Sequence, residues 1–257
     1  MDLQTRIARA VQRYWRTRLA QKEKQGSSSG VQDAGSRSDV TGGKQMDGFA
    51  ELICELLHES GLDKAQMFNG RRASELPGFY RPEKNWDWIV VADDRLLALL
   101  ELKSQVGPSF GNNFNNRVEE ALGNATDLWK AYGEGTFAPS QEPWAGYLML
   151  LEDCKECRAP VRVYEPHFAI RSEFQDPKYA AASRLSVSYA KRYEIFCRKL
   201  ALERLYSASC FLMSDRVKGL EGRFSEPARD LAFANFVASL TGKIAEHIQM
   251  KKLGTLR

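Results

Sequence analysis

The chain of 257 residues is long enough to close one substantial core, and 43% hydrophobic with 27% charged residues suits a folded globular protein rather than a disordered one. No run approaches the roughly 18 unbroken apolar residues of a membrane span, and MDLQTRIARAVQRYWRTRL breaks its apolar positions with arginine, unlike a secretory leader, so a cytoplasmic protein is expected. A net charge of +4 permits a nucleic-acid partner without requiring one, because a carboxylate-rich site subtracts from the total.

Leu3, Ile7, Ala10, Val11, Tyr14 and Trp15 recur at helical spacing and predict an amphipathic helix from Leu3 to Lys24. Arg6, Arg9, Arg13, Arg16 and Arg18 make this N-terminal part (1–25) basic, which suits phosphate contacts or an ordinary solvated face. Residues 26–45, GSSSGVQDAGSRSDVTGGKQ, read as a flexible loop. A second helix is predicted from Asp47, taken as its N-cap, to Gly61, with Phe49, Leu52, Ile53, Leu56 and Leu57 on one side and Glu51, Glu55 and Glu59 on the other.

WDWIVVADDRLLALLELK reads as two strands about a turn at Asp93-Asp94. A polar loop, SQVGPSFGNNFNNR, follows, then a helix over Val118–Tyr132. AGYLMLLE is expected to be a buried strand, and VRVYEPHF a further extended piece. A helix over Ser188–Tyr206, a strand ASCFLMS, and a last helix capped by Ser225 and carrying Phe233, Val237, Leu240, Ile244 and Ile248 complete the order. Helices alternating with strands predict an α/β mixed sheet flanked by helices on both faces. A single domain over 1–257 is expected, with a catalytic core at 46–215 and a C-terminal helical part at 216–257.

Five scattered cysteines argue against a disulfide framework, and only Cys154 and Cys157 have ligand spacing, without the second pair a structural zinc needs.

The chemistry concentrates between Asp87 and Lys103. Strand alternation puts Glu101 and Lys103 on one face, about 7 Å apart at Cα, and folding about Asp93-Asp94 sets Asp87 opposite residue 100 or 101. Two carboxylates and an ammonium then share one small region at the end of a strand filled by leucine. Phosphodiester hydrolysis asks for this set: carboxylates to hold Mg²⁺, and a cation near the attacking water and the phosphate. Lys103 orients or deprotonates that water, or offsets charge in the transition state; spacing does not choose between these. A Glu-x-Lys surface pair is the plain alternative, and the apolar run before it argues against a solvated strand. Glu51, a helical acid, is a third candidate metal ligand.

Gln105, Ser109, Asn112, Asn113, Asn115, Asn116 and Arg117 form a dense set of hydrogen-bonding groups after Lys103. Asn and Gln match adenine edges, and Arg matches guanine or phosphate, so these residues are the DNA-binding candidates; a polar turn would use the same residue types.

The stretch ELKSQVGPSFGNNFNNRVEEALGNATDLW, with TGGKQMDGFAELI upstream, closely resembles the XhoI-type family of type II restriction endonucleases. The resemblance implies a bacterial, Mg²⁺-dependent enzyme of the PD-(D/E)XK nuclease superfamily, with a restriction-endonuclease-like core. It implies a homodimer cutting double-stranded DNA at the palindrome CTCGAG with 5′ overhangs, and a cognate DNA methyltransferase as functional partner. The superfamily's acid falls on Asp87, its Glu-x-Lys on Glu101 and Lys103, and its helical acid on Glu51; Trp86 stands where the pattern has proline. A structure-selective repair nuclease, or a non-catalytic DNA-binding module on the same fold, are the alternatives.

Overall fold

The computed structural model describes residues 1–26, 44–70, 72–164, 167–178 and 185–256. The expected loop at 26–45 therefore lies almost wholly outside the described residues. Helix α1 (Leu3–Gly26) and α2 (Asp47–Glu59) precede a short edge strand β1 (Met67–Asn69) and a small hairpin, β2 (Glu75–Pro77) with β3 (Glu83–Asn85). Then come β4 (Trp88–Ala92), β5 (Arg95–Gln105), α3 (Phe110–Gly133), β6 (Trp144–Glu152), the two-residue strands β7 (Val161–Arg162) and β8 (Leu185–Ser186), α4 (Tyr189–Leu202), β9 (Ala208–Ser214) and α5 (Phe233–Lys252).

Five strands form the central sheet in the order β1-β4-β5-β6-β9. β1, β4 and β5 pair antiparallel, whereas β5, β6 and β9 are parallel, so the mixed sheet expected from the element order is present. Each of the nine residues of β6 is buried, as a strand covered on both faces requires. One face packs against α1, α2 and α5 through Val11, Trp15, Phe49, Ile53, Phe236 and Leu240. The other packs against α3 and α4 through Ala121, Ala125, Leu128, Tyr193 and Phe196. On β5, Ala98, Leu100 and Leu102 point to the first cluster and Leu99 to the second, so alternation carries Glu101, Lys103 and Gln105 to the α3–α4 side.

The turn between β4 and β5 is the expected one: Asp93 and Asp94 both take positive φ, 51° and 57°, the conformation of a tight two-residue hairpin. His247 and Lys251 of α5 hold the Asp93 carboxylate at 3.0 and 2.6 Å, tying the last helix to this corner.

Several boundaries differ from expectation for local reasons. Met46 occupies the N-cap of α2, and Asp47 is its first helical residue. Ser225 does not cap α5, whose N-cap is Ala232; Ser225 instead bridges Met213 beside β9. Within VRVYEPHF only Val161 and Arg162 form a strand. The largest change is at α3, which starts at Phe110 rather than Val118, so the asparagine-rich segment is helix and not loop. Phe110 stacks on Tyr189 and Phe114 meets Tyr193 edge-on, and this aromatic burial outweighs the poor helix propensity of Asn and Gly.

Gly146 sits where β6 passes under a ring pair: an added Cβ would lie 2.3 Å from the Trp144 ring and 2.8 Å from Phe236. Gly146→Ala is therefore expected to cost about 1–3 kcal/mol by overpacking. A urea melt checks it, and an unchanged midpoint would show that these rings move aside freely.

Candidate active site

β5 outruns β4 by several residues, and the site is built where β4 gives out. A bulge at Leu97 shifts the hairpin register, from Val91 opposite Leu96 to Val90 opposite Ala98, so Trp88 pairs with Leu100. Asp87, one residue earlier, comes level with Glu101. Its Oδ2 accepts the Leu102 N–H at 2.7 Å, filling a ladder position that β4 no longer supplies. Lys103 Nζ lies 3.1 Å from the same oxygen and 2.5 Å from Glu101 Oε2. The three residues expected from strand alternation are therefore brought to one point.

Glu101 is buried, and a buried carboxylate needs partners. Lys84 of β3 donates to Oε1 at 2.5 Å, and Asn124 of α3 donates to the same oxygen at 3.0 Å. Oε2 touches Lys103 yet accepts no well-formed hydrogen bond, so it keeps capacity for a further partner. Lys84 also lies over the Trp86 ring at 4.1 Å, and this contact helps to hold the ammonium in place.

The electrostatics separate the two acids. Burial opposes ionisation of Glu101, but Lys103 and then Lys84 outweigh it and bring its pKa down to about 2. For Asp87 burial prevails over the pull of Lys103, with Glu101 adding repulsion, and its carboxyl is raised above the ordinary aspartate value. Burial works against the Lys103 ammonium, yet Glu101 and then Asp87 overcome it and raise its pKa. The result is a firmly ionised Glu101, a protonated Lys103 and an acid at Asp87 that takes a proton more readily than usual.

Glu51 is not brought to this site. It lies on the exposed side of α2 and pairs with Arg13 of α1, beside the pairs of Arg6 with Glu55 and Glu59 at 3.0 and 2.8 Å. α2 packs on the face of the sheet opposite Glu101, which is the physical reason. Among the described residues no three Asp, Glu, His or Cys side chains form one ligand group, Cys154 and Cys157 included. Their thiols are free, and Cys157 Sγ caps the backbone around Cys154 in a one-turn helix.

The DNA-binding candidates divide. Gln105 is buried, donates to the Phe110 carbonyl at 3.2 Å and accepts from the Tyr193 hydroxyl, so its amide is engaged at both ends inside the fold. Ser109 is exposed at the N-cap of α3 and makes no side-chain cap bond. Asn112, Asn115 and Asn116 are exposed at i, i+3 and i+4 and share one stripe of α3, whereas Asn113 is half-buried. Arg117 pairs with Glu120, and its Nε is buried without a hydrogen-bond partner.

Two residues of the site escape a reading by spacing. Lys84 lies in a three-residue strand too short to announce itself. Asn124 did carry a signal: it is polar on the buried stripe of α3, beside Ala121, Ala125 and Leu128.

The arrangement is similar to known proteins in sequence. Residues 24–226 match the family model described as Restriction endonuclease XhoI. The chain is 52% identical to the type II restriction enzyme BstVI of Geobacillus stearothermophilus over 218 residues, which is 83% of this chain and 92% of that protein. It is 42% identical over 200 residues to the type II restriction enzyme XhoI of Xanthomonas vasicola, covering 77% of this chain and 75% of that protein. A third relative, the type II restriction enzyme AbrI of Azospirillum brasilense, is 45% identical over 179 residues, 69% of this chain and 80% of its own length. No solved structure matches the chain significantly.

Proposed function

Since this chain belongs to the XhoI restriction endonuclease family, a family with type II restriction enzymes among its members, we propose that Asp87, Glu101 and Lys103 cut double-stranded DNA with Mg²⁺ at the palindrome CTCGAG. The cut leaves 5′ overhangs, a homodimer places one active site on each strand, and a bacterial methyltransferase protects the host copies of the site in the cytoplasm. The observation that carries this reading is the meeting of both carboxylates at the Lys103 ammonium.

The donor set suits Mg²⁺, which takes one or two carboxylates and completes its shell with water and phosphate oxygens. Asp87 and Glu101 would hold it, and the open acceptor capacity of Glu101 Oε2 supports that placement. Bound there, the ion supplies Lewis-acid activation of water and phosphate. Lys103, paired with both carboxylates, would place a positive charge where charge grows on the phosphorus oxygens. Asn124 and Lys84 fix the Glu101 carboxylate, so it is oriented before substrate arrives.

The exposed stripe of Asn112, Asn115 and Asn116 is the surface we assign to base reading. Asn116→Ala is expected to reduce preference for the correct site by roughly 1–3 kcal/mol, the value of one bidentate contact. Competition binding between the cognate duplex and a one-base variant measures it; an unchanged ratio would remove Asn116 from recognition. For the whole reading, a plasmid of known sequence is digested in Mg²⁺ and the fragment ends are sequenced. Discrete fragments ending at CTCGAG are expected, and a smear or intact plasmid would overturn it.

A further inference from the structure

Between β2 and β3 the chain turns through Gly78, Phe79, Tyr80, Arg81 and Pro82, and this tip is built with unusual care for a surface turn. Asp127 of α3, itself buried, accepts the Phe79 and Tyr80 N–H groups at 2.8 and 2.7 Å and the Arg81 Nε at 2.8 Å. Gly78 packs so tightly that a Cβ would lie 2.6 Å from Asp127 Oδ2 and 2.8 Å from the Arg81 carbonyl. Yet this rigid support presents two rings to solvent: Phe79 is 44% and Tyr80 70% exposed, paired edge-to-face at 4.9 Å. The two adjacent rings form one contiguous apolar patch held on a rigid support.

The tip is also continuous with the catalytic centre. Arg81 Nη2 donates to Asn124 Oδ1 at 2.8 Å, and the Nδ2 of that same asparagine donates to Glu101. The far strand of the hairpin carries Lys84 onto Glu101 as well. Charges of both signs surround the rings: Arg81 pairs with Asp127, Lys130 lies 5.1 Å over Phe79 and pairs with Glu134, and Arg72 is exposed near the stem. Glu83 is exposed directly beside the turn, opposite Pro77, and Glu75 lies at the far end of β2.

From this geometry we propose that the β2–β3 hairpin is a DNA-contacting element, with Phe79 and Tyr80 packing on the sugars and bases of the duplex beside the phosphodiester that is cut. The proposal rests on the double-strand cleavage reading and adds a contact to it. The rings take the apolar faces of the nucleotides. The occupant is DNA rather than a second copy because the tip is tied through Arg81 and Asn124 to Glu101, where the scissile phosphate has to lie.

The test compares the unmutated protein with the double variant Phe79→Ala/Tyr80→Ala on a synthetic duplex centred on CTCGAG, with Ca²⁺ replacing Mg²⁺ for binding and Mg²⁺ for single-turnover cutting. At least a tenfold loss in duplex affinity or cutting rate is expected, with circular dichroism and oligomeric state unchanged. Ratios within twofold overturn the proposal, and so does a changed oligomeric state with undiminished DNA binding, which would make the rings a protein contact. A measurement on the unmutated protein guards against a variant that fails to fold. Ultraviolet cross-linking to a duplex carrying 5-iodouracil beside the cut should label the peptide holding Phe79 and Tyr80, and labelling confined to other peptides overturns the proposal. Failure of the unmutated protein to cut any duplex would instead strike at the cleavage reading itself.

Discussion

Replacing Lys103 by alanine is expected to lower the single-turnover cutting rate by roughly 10²–10⁴-fold, the range for losing a positioned proton-handling or charge-bearing group, while cognate affinity in Ca²⁺ stays within a few-fold. The asymmetry follows from the contacts. Lys103 is the residue shared by both carboxylates, but each keeps another partner when it is removed: Glu101 retains Lys84 and Asn124, and Asp87 retains the Leu102 N–H. The acids therefore stay in place while the charge between them is lost. Lys103→Arg should be nearly as poor, because a planar fork cannot sit as a point charge between two oxygens. Equal loss of binding and cutting would mean that Lys103 holds the fold or the DNA rather than the transition state, and a rate within tenfold of the unmutated enzyme would remove it from the chemistry.

The site was legible in the sequence where local periodicity decides geometry. Asp93-Asp94 marks a hairpin and strand alternation sets Glu101 with Lys103, so that pair, with Asp87 opposite residue 100 or 101, follows from adjacent residues alone. The bulge at Leu97 could not be read, since one extra residue in a run of leucines changes no pattern, yet it decides that Asp87 lies level with Glu101 rather than Leu100. Glu51 failed for a different reason. Periodicity shows which side of α2 is apolar but not which face of the sheet that side will cover, and α2 covers the wrong one. The asparagine-rich segment looked like a loop because Asn and Gly are weak helix formers; Phe110 and Phe114 find Tyr189 and Tyr193 some 75 residues or more downstream, and no local rule anticipates that. Lys84 and Asn124 are long-range partners of Glu101 of the same kind.

Those partners make Glu101→Gln the variant with the largest combined effect. Cutting should be lost, as one of two candidate ion ligands goes. The same change should destabilise the metal-free protein, because the carboxylate balances two ammonium groups that are themselves largely covered, Lys84 at 11% and Lys103 at 19% side-chain exposure. Breaking a buried pair by removing one partner costs about 3–5 kcal/mol, and the residual exposure of both lysines, which lets them turn toward water, places the expected cost at the lower end. Glutamine preserves volume and still offers Oε1 to Asn124, so a stability loss reports charge rather than a cavity. A pH series separates the two further. The folded-state pKa of Glu101 is depressed to about 2 from an ordinary 4.5, so its stabilisation is complete above 4.5 and is lost as pH falls toward 2. The stability gap between unmutated protein and Glu101→Gln, measured by urea melts without metal, should close over that interval. A gap that is absent at neutral pH, or that persists undiminished to the acid end, would show that Lys84 and Lys103 do not depend on this carboxylate and that the charge arrangement of the site has been misassigned.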